Sequence, residues 1–198
     1  MKKINFNSVK NAIENFKGAK VLVVGDLILD EFLWGDVSRI SPEAPVPVVW
    51  VKKESFMPGG ASNVANNLSS LGAKVYLAGV IGNDENGAIL KGELEQKGID
   101  VSGVVTDDTR PTILKTRVVA QHQMVVRIDK EKVEPLSATV AGKLAKYVEG
   151  LIRDIDAIII EDYGKGVITP ALLSKVVPAA KKQNKIISVD PKEEHFKY

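Results

Sequence analysis

Cysteine is absent from the 198 residues, which excludes disulfides, thiolate zinc sites and a cysteine nucleophile. Only two histidines occur, His122 and His195, and their separation has no metal-ligand spacing. Charge of one sign is lacking too: 27 basic residues face 25 acidic ones, with no basic run or aromatic-basic interleaving, so no nucleic-acid surface is expected. The opening MKKINFNSVKNAIENF has no long apolar core, and no signal peptide or membrane span is expected. A cytoplasmic protein without membrane association is the expectation. Three phosphate or nucleophile signatures are also missing. No G-x-x-x-x-G-K-[ST] occurs, no G-x-G-x-x-G follows the first strand signal, and no G-x-S-x-G is found.

What is present alternates. Apolar, β-branched runs begin at Lys20 (KVLVVGD) and recur at 75–82, 157–162 and 185–190. Helical patterns lie between or beside them at 84–97, 137–153 and 169–184, the last opening with Thr169 as N-cap and Pro170 at the first helical position. Such continuous apolar strands alternating with helices predict an α/β fold with a largely parallel sheet covered on both faces. Two stretches break the rhythm. Residues 34–55 carry Pro42, Pro45 and Pro47 around extended sequence, as edge or lid strands do. TILKTRVV and QMVVRID form a second pair around a polar turn containing His122. Together they predict a small β-layer beside the main sheet, with lid strands at about 32–55 and 112–129.

In open α/β sheets ligands bind at the carboxyl ends of the strands. Each strong strand run delivers acid there: Asp26, Asp84, Glu161 with Asp162, and Asp190. Lys165 and Lys192 follow closely. Mixed acid and base on one rim suits a polyhydroxylated, phosphorylated ligand, because carboxylates accept from hydroxyls and cations meet phosphate. Of the two acids in GDLILD, Asp26 is read as functional and Asp30 as a helix-start or loop residue. Lys115 and Arg117 alternate onto one strand face with Arg127 on the neighbouring run, either as a solvated face or as a phosphate clamp. Asp84 is read as a helix-start residue. In PGGASNVANNLSSLG, Gly59 and Gly60 precede a helix whose apolar face is Ala61, Val64, Ala65, Leu68 and Leu71. These glycines allow positive φ and close backbone approach, and first-turn amides can point at a ligand.

These stretches carry a resemblance. VVGDLILDEFLWGDVSRISPEAPVPVV, PGGASNVANNLSSLGAKV, TILKTRVVAQHQMVVRID, EDYGKG and VDPKEEHF together resemble the ribokinase-like (PfkB-type) sugar kinases over nearly the whole chain, most closely their heptose 7-phosphate kinases. The resemblance implies a large α/β domain with a β-lid that closes over the sugar and pairs two copies as a homodimer. It implies ATP and Mg²⁺, with phosphoryl transfer to the anomeric hydroxyl of D-glycero-D-manno-heptose 7-phosphate in lipopolysaccharide-core synthesis. By position, Asp26, Gly59, Gly60 and Asn63 would hold sugar hydroxyls, with Arg39 beside them in the lid. Lys115, Arg117 and Arg127 would meet the 7-phosphate. Asp162 and Lys165, with Asp190 and Lys192, would border the path to the transferred phosphate. The family's catalytic base lies in a Gly-Ala-Gly-Asp stretch that this sequence lacks. The chain is therefore expected to be the N-terminal, sugar-binding portion of such a kinase, inactive by itself. Other sugars, or a non-catalytic assembly role, are the alternative expectations.

Overall fold

Two sheets share one continuous backbone. The computed structural model describes residues 6–197. After α1 (Phe6–Glu14), strand β1 (Lys20–Gly25) runs through the molecule's centre, and one residue later β2 (Leu27–Ile40) starts a second sheet. β3 (Pro47–Gly60) returns antiparallel to β2 and ends at the mouth of α2 (Ala61–Ser70). Then follow β4 (Lys74–Ile81), α3 (Glu85–Gln96), β5 (Asp100–Thr106), β6 (Ile113–Ala120), β7 (Gln123–Lys130), α4 (Ala138–Leu151), β8 (Ala157–Glu161), α5 (Pro170–Lys182) and β9 (Ile186–Asp190).

The main sheet has the order β5-β4-β1-β8-β9 and is parallel throughout. Buried on both faces, its central strands need no alternation, and Leu22, Val23 and Val24 of β1 are each at most 1 % exposed. Leu22, Val24, Ile158 and Ile160 pack under α4 and α5 through Leu144, Val148, Leu172 and Val176. On the other face, Val23 and Leu77 join Ala61 and Ala65 of α2 and Leu90 and Leu94 of α3. Each such Leu, Ile or Val contributes about 1.5–3 kcal/mol through burial. The expected helix starts are in place, with Asp84 accepting from Gly87 N and Thr169 from Leu172 N, and Ser137 caps α4 by accepting from Val140 N. No helix among the described residues is long and apolar enough to cross a membrane.

The lid sheet has the order β3-β2-β6-β7, parallel between β2 and β6 and antiparallel elsewhere. Its strands start earlier than the proline-framed sequence suggests, because Leu27, Ile28 and Leu29 enter β2 fully buried against the main core. Beyond the Gly35↔Ala120 pair, β2 and β3 continue as a two-stranded arm. At the β6–β7 turn, Gln121 and His122 both take left-handed φ, 49° and 66°, as a two-residue hairpin turn requires. Strand β5 was not expected; its DVSGVVT sequence alternates only weakly.

Candidate functional site

The parallel register brings the carboxyl ends of β1, β8 and β9 level, pairing Gly25 with Glu161 and Glu161 with Asp190. At that rim Asp26, the single residue between the two sheets, has no exposed surface. Its Oδ2 accepts from the amides of Tyr163 (2.9 Å) and Lys165 (3.1 Å), and its Oδ1 from Val167 (3.2 Å). Its own carbonyl accepts from Ala61 N at 3.0 Å, at the start of α2. Burial pushes the carboxyl above its ordinary range, outweighing the three amide bonds that pull it down. The carboxylate that the sequence reading assigned to sugar hydroxyls is committed to backbone amides, and it anchors the 163–167 loop and the α2 entrance.

Asp30 is partly buried, with a side-chain exposure of 20 %. It is neither in a loop nor at a helix start but on β2, paired in register with Met57 and Lys115. Its Oδ1 accepts from Arg117 Nη1 at 2.6 Å. A Cβ at Gly59 would lie 2.6 Å from Asp30 Oδ2, so the glycine is what lets this carboxylate lie against the β3 backbone. Gly60 is the N-cap of α2 at φ 52° and ψ −136° with no side-chain cap, a conformation close to glycine-only backbone. Asn63 is exposed in the first turn beyond it. Ser62 is fully buried and its Oγ has no hydrogen-bond partner.

The lid cations are brought together but not left bare. Arg117 and Arg127 stand directly opposite, as do Lys115 and Asp129, so all four share one face. Lys115 Nζ lies 2.9 Å from Asp129 and 3.6 Å from Glu131. Arg127 forks onto Asp129 through Nε (2.8 Å) and Nη2 (3.1 Å). Lys165, from the loop held by Asp26, reaches Glu131 at 2.6 Å. The Lys115 and Arg127 bonds hold the Asp129 carboxyl below the usual range, against a smaller upward push from burial. Phe32 lies under the Arg117 guanidinium, 5.3 Å from ring to Cζ, and stacks on Trp34. Counter-charges Asp30, Asp129 and Glu131 are the residues that sequence reasoning missed, and cross-strand register is what reveals them.

Arg39 is placed elsewhere. It is exposed on the arm, paired with Val48, nine residues along β2 from Asp30 and therefore roughly 30 Å away. Among the described residues no hydrogen bond or ion pair joins Arg39 to the lid cations or to the 163–167 loop.

At the ends of β8 and β9, Asp162 is 7 % exposed and turns away from the lid. Its carboxylate accepts from Gly164 N at 2.8 Å and meets His195 Nδ1 at 2.7 Å. His195 sits on a 3-10 turn (Glu193–His195). Burial raises the neighbouring Glu161 carboxyl, with Asp190 adding repulsion. Asp190 and Lys192 are exposed, and Lys192 pairs with Glu194 at 3.1 Å. A cleft of about 500 Å³ opens beside this group, lined by Ile160, Asp162, Leu173, Val189 and His195 among others. No group of three or more metal-ligating side chains converges among the described residues.

The profile of the pfkB family carbohydrate kinases matches residues 19–198. Among similar proteins, the bifunctional protein HldE of Helicobacter pylori strain J99 is 51 % identical over 180 residues, covering 90 % of this chain and 39 % of that protein. Its namesake in Geobacter metallireducens GS-15 is 46 % identical over 192 residues, covering 96 % of this chain and again 39 % of the relative. The chain thus spans about two-fifths of the length of these relatives. In fold it is similar to Arabidopsis thaliana ribokinase complexed with ribose and ATP, with a TM-score of 0.61 and 17 % identity over 87 % of this chain and 53 % of that one. It is likewise similar to the tetrameric inhibited form of Escherichia coli phosphofructokinase-2, with a TM-score of 0.65 and 19 % identity over 89 % and 56 % of the two chains.

Proposed function

Because the chain belongs to the pfkB family of carbohydrate kinases, we propose that it carries the sugar-binding part of an ATP-dependent heptose 7-phosphate kinase, as residues 1–198 of that kinase domain. The observation that supports this most is the continuous contact path from Gly59 and Asp30 through Arg117 to Lys115, and on through Glu131 to Lys165, which joins the lid sheet to the 163–167 loop. The similarity to proteins named HldE supports the particular sugar.

In this reading the sugar ring lies beside Gly59 and Gly60, next to the Asp30 carboxylate that packs on the Gly59 backbone. Asp30 accepts from one hydroxyl and Asn63 meets another from the open first turn of α2. Arg117, Arg127 and Lys115 hold the 7-phosphate, the arginines through paired donors suited to its oxygens. Lys165 crosses from the loop and points its charge at the reacting end. Asp26 acts indirectly by fixing the amides of 163, 165 and 167, so that loop and α2 entrance move as one.

The exposed carboxylate of Asp190 and ammonium of Lys192 suit ATP phosphates and Mg²⁺. That ion commonly takes one or two protein carboxylates and fills its shell with phosphate and water. ATP would supply the phosphoryl group passed to the anomeric hydroxyl, and Mg²⁺ would offset its negative charge. This chain's residues orient the hydroxyl and keep water from it as the lid closes.

The partner reading is a second copy of the chain. The lid's outer face carries an aliphatic groove of about 540 Å³ lined by Leu33, Val49, Val51, Val118 and Val126, among others, and a self-complementary apolar face suits a two-fold pair. Sedimentation should show a dimer at micromolar concentration, lost in Val126→Lys; a strictly monomeric wild type removes the pairing.

Calorimetric titration with heptose 7-phosphate, with unphosphorylated heptose as control, tests the sugar reading. Saturable binding that depends on the phosphate is expected. Equal affinity for both sugars would overturn the role of the lid cations.

A further inference from the structure

Among the described residues, Glu131 is the carboxylate that joins a cation of the lid sheet, Lys115, to a cation of the 163–167 loop, Lys165. It follows β7 directly, on the chain that leaves the lid for the main sheet. Its Oε1 accepts from Lys165 Nζ at 2.6 Å, and its Oε2 lies 3.6 Å from Lys115 Nζ. All three side chains are mostly buried, at 18 %, 18 % and 14 % exposure. Oε2 is itself buried and accepts no hydrogen bond. Such a half-satisfied carboxylate in low dielectric is costly unless its charge is needed where it stands.

The charge has a purpose if the count of groups is taken over the whole cluster. Lys115, Arg117, Arg127 and Lys165 supply four positive charges, and Asp30, Asp129 and Glu131 return three. Unpaired, four clustered cations would hold any small anion, because their attraction for phosphate does not depend on what the phosphate is attached to. With the carboxylates in place, a bare oxyanion must separate existing ion pairs and replaces them with nothing better. A sugar phosphate brings hydroxyls as well, which can donate to the carboxylates that its phosphate displaces, Oε2 of Glu131 first among them.

Resting on the sugar-phosphate reading above, we infer that Glu131 is a specificity-determining residue: an internal counter-anion shared by Lys115 and Lys165 that makes the cluster reject inorganic anions in favour of phosphorylated polyols. Asp129 and Asp30 pair with lid cations, whereas Glu131 also sets the distance between the lid ammonium and the loop ammonium. Its removal affects selectivity more than affinity for the cognate ligand.

The test is calorimetric titration of the wild type, Glu131→Gln, Glu131→Ala and Glu131→Asp, each with sodium phosphate and with heptose 7-phosphate at low ionic strength. Circular dichroism first confirms which variants keep the fold. Removing one charge a few ångströms from the anion is expected to tighten inorganic phosphate binding about fivefold to tenfold in the Gln or Ala variant. The preference for the sugar phosphate should shrink by at least as much, while Glu131→Asp stays within about twofold of wild type. Adding Lys165→Met to Glu131→Gln should abolish the gain. Phosphate affinity that is unchanged or weaker in a folded Gln or Ala variant overturns the inference, as does a gain that survives loss of Lys165. If neither neutral variant folds, Glu131 is a structural residue and the inference fails. Should wild type bind no heptose 7-phosphate while the neutral variants still gain phosphate affinity, the counter-anion role stands and the sugar assignment falls.

Discussion

Replacing Asp26 by alanine removes the acceptor for three backbone amides at once, those of Tyr163, Lys165 and Val167. Hydrogen bonds to a charged acceptor contribute about 1.5–3 kcal/mol each. Set against them is the cost of burying the charge, visible in the upward displacement of the Asp26 carboxyl from its ordinary 3.8. The balance puts the loss for Asp26→Ala at about 3–5 kcal/mol, a large share of the 5–15 kcal/mol typical of a domain. Asp26→Asn keeps one acceptor oxygen and turns an NH₂ toward an amide donor, so its cost should fall lower, at about 1–3 kcal/mol. Urea denaturation followed by circular dichroism at neutral pH measures both. The sign of the pH dependence is fixed by the direction of the shift. A folded-state value above the unfolded one means the native state binds more protons, so this group's contribution declines as pH rises from about 3.8 through the folded value and is flat above it. The advantage of wild type over Asp26→Asn should narrow across that window. An alanine variant within about 0.5 kcal/mol of wild type, with amide exchange at 163, 165 and 167 unchanged, would refute the anchoring role.

Asn63→Ala should weaken heptose 7-phosphate binding about tenfold without lowering the melting temperature, because Asn63 is exposed in a helix that alanine favours; wild-type affinity removes it from the site. Gly59→Ala places a methyl 2.6 Å from Asp30 Oδ2 and should impair sugar-phosphate binding through the displaced Asp30–Arg117 pair, read by the same titration. Thr169→Ala removes the α5 cap bond to Leu172 N and should cost about 1 kcal/mol in urea unfolding; no change would mean water replaces the cap. At Asp107, burial pushes the carboxyl up but bonds from Thr109 and Arg110 prevail and hold it below 3.8. Its stabilisation is therefore complete above 3.8 and lost as pH falls through the folded value, and Asp107→Asn should flatten the acid limb of the stability profile.

The parallel sheet was legible because VLVV, VYLAGVI and AIIIE read as strands buried on both faces, and the helix starts at Asp84 and Thr169 follow from single residues. The start of β2 was not. Leu27, Ile28 and Leu29 are all buried where β2 leaves the main sheet, and a run with no alternation after Gly25-Asp26 gives no period to read. Without that strand start, Asp30 could not be placed on β2 beside Arg117, nor Asp26 at the junction of the two sheets. The lid cations Lys115, Arg117 and Arg127 could be grouped from alternation alone. Their partners Asp30, Asp129 and Glu131 could not, because which acid stands beside which base depends on inter-strand register, and β6 pairs with β2 across more than eighty residues of chain. The distance of Arg39 from Asp30 was equally illegible, because it is set by strand length, which the prolines at 42, 45 and 47 concealed.

Only Asp26 separates β1 from β2, and it is pinned by bonds to the loop, to Glu161 and to α2. The lid is thus a cantilever rooted in the central strand of the main sheet. It has no slack linker about which to swing, so its movement must be a flexing of the strands themselves. At about 3.3 Å per residue, the 13 steps from Leu27 to Ile40 make a beam of roughly 40 Å. A tilt of about 5° at the root moves the far end by roughly 3–4 Å, yet shifts Asp30, three steps out, by less than about 1 Å. Whatever grips the arm at its tip therefore gains leverage over the rim, while Asp30 and its neighbours at the root keep their alignment.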